Sequence, residues 1–173
     1  MTAACRHSLR AAGPALVAGL VLAGCRGGEE AALREGLARW FALGDTVSFE
    51  SRYGCMAGVF RLTDMQVKAP LRVTDSAAAA AVALERRGAT ALDVPGQAPD
   101  AAIVALANTE RDTGMAVRRA ALEGRACMDD RAESAFRYAL ENPGAVLAYD
   151  AVARRVMLLD PATGLLVVVQ GSR

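Results

Sequence analysis

Imidazole is almost missing from this chain of 173 residues: His7 is the only histidine, and nothing after it carries another. The body of the protein therefore lacks the commonest general base near neutral pH and the commonest metal ligand. No Ser-His-Asp or Cys-His arrangement can be assembled from it. Lysine is as scarce. Lys68 stands alone, with Met65 three residues before it, so there is no S-x-x-K dyad, and no G-x-S-x-G occurs anywhere. What remains for an enzyme is carboxylate chemistry, which needs two acids about 5 to 10 Å apart. With 19 Asp and Glu residues a pair of that kind exists in almost any fold, so the count is no evidence for one. Long apolar runs are missing too. The longest uncharged, mainly apolar stretch covers residues 11–24, broken by Gly13 and Pro14, and a spanning helix needs about 20 such residues.

That short run has a definite shape. Arg6 and Arg10 precede it, small residues close it, and a cysteine follows, in the sequence Leu22-Ala23-Gly24-Cys25. A positive start, a short apolar core and small residues at the end are the proportions of a secretory signal. The four last residues match the lipobox, and residues 1–25 resemble the bacterial lipoprotein signal peptides. The resemblance implies removal of residues 1–24, diacylglycerol on the Cys25 sulfur and acylation of the new amino group. It implies a lipid-anchored protein of the bacterial cell envelope facing the periplasm. Arg26 stands where an aspartate would mark inner-membrane retention, which favours the outer membrane. One acyl chain binds only marginally, whereas two or three hold firmly at about 0.8 kcal/mol per buried CH₂.

Processing would leave 149 residues, enough for one domain with its own core. Arg6 and Arg10 leave with the signal, so 18 basic residues face 19 acidic ones. This balance gives no electrostatic reason to expect nucleic acid as a partner. Cys5 leaves as well, and the two cysteines left besides Cys25 are Cys55 and Cys127, in a compartment that oxidises thiols. Without histidine or a nearby third thiol they do not form a zinc site, and their separation is no C-x-x-C motif. A structural disulfide is the favoured reading over two buried thiols. No cofactor and no metal is expected.

Periodicity divides the remainder. Residues 29–43 place Leu33, Leu37, Trp40 and Phe41 on one helical face, preceded by acids that suit a helix N-terminus. The polar face is not basic, which favours packing on a sheet over lying on a membrane. Residues 25–28 form the lipidated cysteine and a tether of about 14 Å at full extension. From Thr46 the period becomes two, and Tyr53-Gly54 offers a tight turn that sets Phe49 opposite Gly58 and Val47 opposite Phe60 in a hairpin. Residues 65–73 alternate, but Pro70 limits them to an edge strand. Asp75 or Ser76 caps a helix that stops at Gly88, residues 90–99 read as loop, and Asp100 caps a segment through Asn108 that suits either helix or strand. Residues 113–125 and 129–141 are further helices.

The last thirty residues alternate apolar runs with "DAVAR" and "DPATG", two turns opening on aspartate, the second with glycine at its left-handed position. They predict a three-stranded meander. Its near-repeat is similar to β-propeller hairpins, but two copies cannot build a propeller, so the likeness is one of turn chemistry. The fold expected for residues 29–173 is α+β: an N-terminal helix, a β-hairpin, a helical middle and a C-terminal three-stranded antiparallel meander forming one sheet covered by helices. The first hairpin is expected to join the C-terminal strands, bringing Cys127 near Cys55.

Two function classes follow. One is a non-enzymatic envelope lipoprotein that binds an envelope protein partner close to the bilayer. The other is a carboxylate-dependent hydrolase or binder of envelope glycan, with Glu50 and Asp64 as its candidate acids. The pairs Arg86-Arg87 and Arg118-Arg119 suit lipid headgroups or glycan phosphates, although solvated helix faces explain them as well.

Overall fold

The computed structural model describes the backbone of residues 17–172 and the side chains of residues 27–172. In chain order the elements are α1 (Val17–Ala38), β1 (Ala42–Arg52), β2 (Cys55–Asp64), β3 (Val73–Thr74), α2 (Ala77–Arg87), β4 (Ala89–Leu92), α3 (Pro99–Thr109), α4 (Arg111–Arg125), α5 (Asp130–Glu141), β5 (Val146–Asp150), β6 (Arg155–Asp160) and β7 (Leu165–Gln170). The fold is α+β, but its sheet is larger than a hairpin and a meander. It has seven strands in the order β1-β2-β7-β6-β5-β4-β3, antiparallel throughout except for β3 and β4, which run parallel.

The meander β5-β6-β7 forms where the aspartate turns predict it. Asp150 accepts the backbone N–H groups of Val152 and Ala153 at 3.0 Å each, and Asp160 accepts that of Ala162 at 3.0 Å and the Thr163 hydroxyl at 2.7 Å. Both carboxylates are thereby satisfied although they are buried. The hairpin closes through Tyr53-Gly54, with Arg52 opposite Cys55 and Phe49 opposite Gly58 as expected. Val47 is not opposite Phe60. Thr46 takes that place and Ser48 faces Val59, so one extra residue on β1 makes a bulge. The hairpin joins the meander by pairing β2 with β7.

Two expectations change in the middle of the chain. Residues 90–99 are not all loop, because Ala89–Leu92 forms β4 against β5 and β3. Four residues are too short to show a period. Their strand state comes from partners brought from elsewhere, among them the Thr74 hydroxyl bonded to the Ala91 carbonyl at 2.9 Å. Residues 65–73 yield only β3 at the sheet edge, consistent with the donor that Pro70 lacks. Residues 99–109 resolve the open choice as helix, but Asp100 is not its cap: Ala98 holds that position without a side-chain bond, and Pro99 sits in the first turn of α3, where its missing N–H costs nothing.

The sheet is covered on both faces. Strands β6 and β7 are apolar runs with almost every residue buried, as a strand between two layers requires. On one face α2 to α5 pack over Val59, Leu147, Tyr149, Val156, Leu158, Val167 and Val169. On the other, Leu33 and Leu37 of α1, with Trp40 and Phe41 just past its end, cover Phe60, Met157, Leu159, Leu166 and Val168. The apolar face of α1 is therefore in the sheet layer, as its polar composition favoured, but the helix differs from the expected bounds: it runs through residues 25–28, expected as a tether, and ends at Ala38, before Trp40 and Phe41. Lys68 seals the end of this helix, donating from Nζ to the Ala38 carbonyl at 2.6 Å and from its backbone N–H to the Trp40 carbonyl at 2.8 Å.

Capping chemistry sets the helical layer. Ser76 caps α2, Asp129 caps α5, and Gly88 ends α2 in a left-handed conformation. Between α3 and α4 there is no loop: Glu110 ends one helix and caps the other, accepting the N–H groups of Asp112 and Thr113. So tight a corner needs a residue without a side chain where the helices meet. A Cβ on Gly114 would stand 2.3 Å from both the Cα and the backbone nitrogen of Ala107. Gly114→Ala is expected to lower stability by about 1 to 3 kcal/mol through forced separation of the two helices. A urea unfolding midpoint equal to that of the parent would refute this contact.

A second close approach places the disulfide. Gly124 of α4 lies against β7, where its missing Cβ would be 2.8 Å from Val169 Cβ. Cys127 follows three residues later, and Cys55 opens β2 beside the end of β7. Cys55 and Cys127 are bonded, with their Cα atoms 5.8 Å apart.

Candidate functional site

The residues named from the sequence do not converge. The lipobox and Cys25 lie outside the described side chains. Glu50 faces Ala57 and Asp64 faces Ala42, which puts them at opposite ends of the hairpin, eight positions apart along β1. At about 3.3 Å per residue the gap is roughly 26 Å, far beyond the reach of two acids acting on one bond. Asp64 is exposed and accepts the Gln66 N–H at 3.0 Å. Among the described residues no group of three or more Cys, Asp or Glu side chains is arranged to hold a metal ion.

The arginine pair on α4 separates. Successive residues of a helix point about 100° apart, and the neighbouring helices turn this angle into two different sites. Arg119 lines a cleft between α2 and the start of α4, while Arg118 lines a groove among α3, α4 and α5.

The cleft has a volume of about 960 Å³. Ala78, Ala81 and Val82 of α2 make one wall, Ala116 and Arg119 of α4 the other, and Tyr149 from the end of β5 is its floor. Tyr149 is 4% exposed, and its ring belongs to the core cluster under the helices. Its hydroxyl has no hydrogen-bond partner among the described residues. Because no buried side-chain oxygen or nitrogen there is left unpaired, this hydroxyl opens into the cleft. Burial pushes the phenol above its ordinary pKa; Arg154 works against the shift, and Asp150 and Glu123 add to it. The group stays protonated at physiological pH.

Arg154 makes the back of the cleft, in a backbone conformation few arginines adopt. Its φ is 52°, and it occupies in the first aspartate turn the place that Gly164, with φ 67°, holds in the second. A side chain there costs about 1 to 2 kcal/mol. The guanidinium bonds Glu123 Oε2 at 3.3 Å, and the same oxygen accepts the Ser172 N–H and hydroxyl at 3.1 Å each. Glu123 is so engaged that Arg154 is held in position. Glu110, at the other end of the cleft, is held below the usual carboxylate range by its bonds to Thr113, with Asp112 contributing least.

The groove, of about 550 Å³, has an apolar floor and a rim of three arginines with Asp100 and Glu133, a balance of one positive charge. Ile103 and Phe136 are its buried floor, Val104 and Leu122 stand up from it at 58% and 62% exposure, and Arg118, Arg125 and Arg137 edge it. Arg125 is paired with Glu133. Arg118 and Arg137 have no ion pair or hydrogen bond among the described residues.

Neither surface was legible in the order of residues. Tyr149 reads as one more strand residue, and the only local mark near it is an arginine where the companion turn has glycine. Comparison with protein-family models, with curated proteins and with solved structures found no match for this chain.

Proposed function

We propose that the mature chain is a non-enzymatic lipoprotein of the bacterial envelope, anchored through Cys25 and facing the periplasm, that holds a partner protein close to the bilayer. The anchor reading rests on the lipobox, Leu22 to Cys25, and Arg26 favours the outer membrane. Glu29, the hairpin tip at Arg52 to Gly54 and Ser172 near the C-terminus line one concavity. The end of the domain at which Glu29 of α1 lies is thus the end carrying the exposed Tyr53, a residue type suited to the headgroup region.

The observation that carries partner binding is the groove among α3, α4 and α5. It lies on the sheet face opposite α1, and it combines exposed aliphatic side chains with two unpaired arginines. An apolar groove of helices accepts an amphipathic helix through anchors at i, i+3, i+4 and i+7. The arginines select the sign of its flanks, so the partner segment is a helix with acidic residues beside its apolar face. The two acids named for the glycan reading, Glu50 and Asp64, stand too far apart to act on one bond.

A photocrosslinking residue in place of Leu122 in the full-length protein tests this in cells. The crosslinked peptide, identified by mass spectrometry, is expected to carry net negative charge and helical apolar spacing. Its yield should fall about tenfold when Arg118 and Arg137 are both changed to Glu. A basic peptide, a yield indifferent to the charge reversal, or no crosslink at all would refute the groove as the docking surface.

A further inference from the structure

The cleft floored by Tyr149 has a chemistry of its own, separate from both the anchor and the groove. Its floor is the buried Tyr149 ring, whose hydroxyl opens into the cleft with no partner among the described residues. The hydroxyl bonds nothing within the fold, so phenylalanine would fill the same place without losing an internal hydrogen bond. Beside it, Arg154 occupies a left-handed conformation that glycine would adopt freely, and Glu123 holds its guanidinium in place. Arg119 adds a second guanidinium with no partner among the described residues. Local strain and an unmet donor in one cleft point to a ligand.

The remaining charges narrow its class. Three carboxylates line the same cleft, from Glu85, Glu110 and Asp112. Glu110 is committed to the cap of α4, but Glu85 and Asp112 are exposed and uncapped by any basic partner among the described residues. A simple anion would meet these two acids, and a simple cation would meet the two guanidiniums. A molecule carrying both charges a few ångströms apart satisfies both sets, and the alanine-rich walls take an aliphatic group.

We propose that this cleft binds a small zwitterion of amino-acid type, a free amino acid or short peptide, whose carboxylate is received by Tyr149, Arg154 and Arg119 and whose ammonium faces Glu85 and Asp112. The ring hydroxyl acts as donor to the carboxylate, and the guanidiniums supply charge-assisted hydrogen bonds. Ala81, Val82 and Ala116 provide the apolar contact.

Titration calorimetry on the full-length protein in detergent tests the assignment, with leucine and dialanine as probes. At least one is expected to bind with a Kd on the order of 1 mM or tighter, as suits a ligand of so few atoms. Removing either charge, by using leucine methyl ester or 4-methylpentanoate, should weaken binding about tenfold. Tyr149→Phe should weaken it about fivefold while leaving the unfolding midpoint equal to or above that of the parent, and Arg119→Gln, at an exposed position, should weaken it about tenfold. The proposal is overturned if neither probe binds at about 20 mM, if 4-methylpentanoate binds as tightly as leucine, or if Tyr149→Phe leaves the affinity unchanged.

Discussion

Replacing Cys25 with alanine is expected to reduce palmitate incorporation to background and to leave the chain longer by residues 1–24. The sulfur is the only atom at that position able to take diacylglycerol, and in the lipoproteins that this signal resembles, cleavage follows the modification. The size of the effect comes from the number of chains. At about 0.8 kcal/mol per buried CH₂ a single acyl group gives reversible binding, and two or three give an anchor that does not exchange. The parent protein should therefore label with palmitate, run at the size of residues 25–173 and fractionate with the outer membrane. A Cys25→Ala protein of mature size, fractionating as the parent does, would remove the anchor and leave the groove and the cleft to be judged alone.

The second large effect concerns the bond between Cys55 and Cys127. Their sequence separation of 72 closes a long loop, and on the chain-entropy model its closure is worth about 4.4 kcal/mol. That is a large share of the 5 to 15 kcal/mol by which most domains are stable. Cys127 is fully buried, so loss of the bond also leaves sulfur in a site shaped for a bridge. Reduction is expected to lower the denaturant midpoint of the parent strongly, whereas a Cys55→Ala, Cys127→Ala variant should start low and ignore reductant. Two alkylatable thiols in the native protein, or a midpoint that reductant does not move, would refute the contribution. The bridge fastens the connection between α4 and α5 to β2, so its removal should also loosen the groove that these helices form.

Particular elements show how far local chemistry reaches. The two aspartate turns specify the meander because a carboxylate bonding the next N–H groups and a left-handed fifth residue bend the chain whatever surrounds it. Capping does the same for α2 and α5, where Ser76 and Asp129 accept N–H groups from within the next three residues. The turn at Tyr53-Gly54 and the pairing of Phe49 with Gly58 are equally local. The bulge at Val47 is not, since nothing in the alternation of β1 reveals an extra residue until β2 is laid beside it. β4 fails for a similar reason: Ala-Thr-Ala-Leu becomes a strand by filling the space between β5 and β3. The segment around Met65, Val67 and Leu71 keeps an alternating pattern yet forms no strand. Its apolar residues instead pack beside α1 on the sheet.

The candidate sites were hardest to read because each is assembled from distant parts of the chain. Arg118 and Arg119 look like one basic patch until α2 and α5 take opposite sides of α4. Tyr149 and Arg119 are thirty residues apart, and only the packing of α4 over β5 gives them a common cleft. Glu50 and Asp64 fail in the opposite sense: they are close in sequence and lie on neighbouring strands, but the register holds them at opposite ends.

Amino-acid order alone determined the caps of α2 and α5, the turns at Gly54, Asp150 and Asp160 and the helical spacing of Leu33 and Leu37, because each depends on residues within a few positions of one another. Tertiary structure alone decided that the sheet has seven strands and two covered faces, that Gly114 and Gly124 admit close neighbours, and which charges share a cleft. Those outcomes depend on how hydrophobic layers bury one another, an energy summed over the whole chain that no short stretch contains.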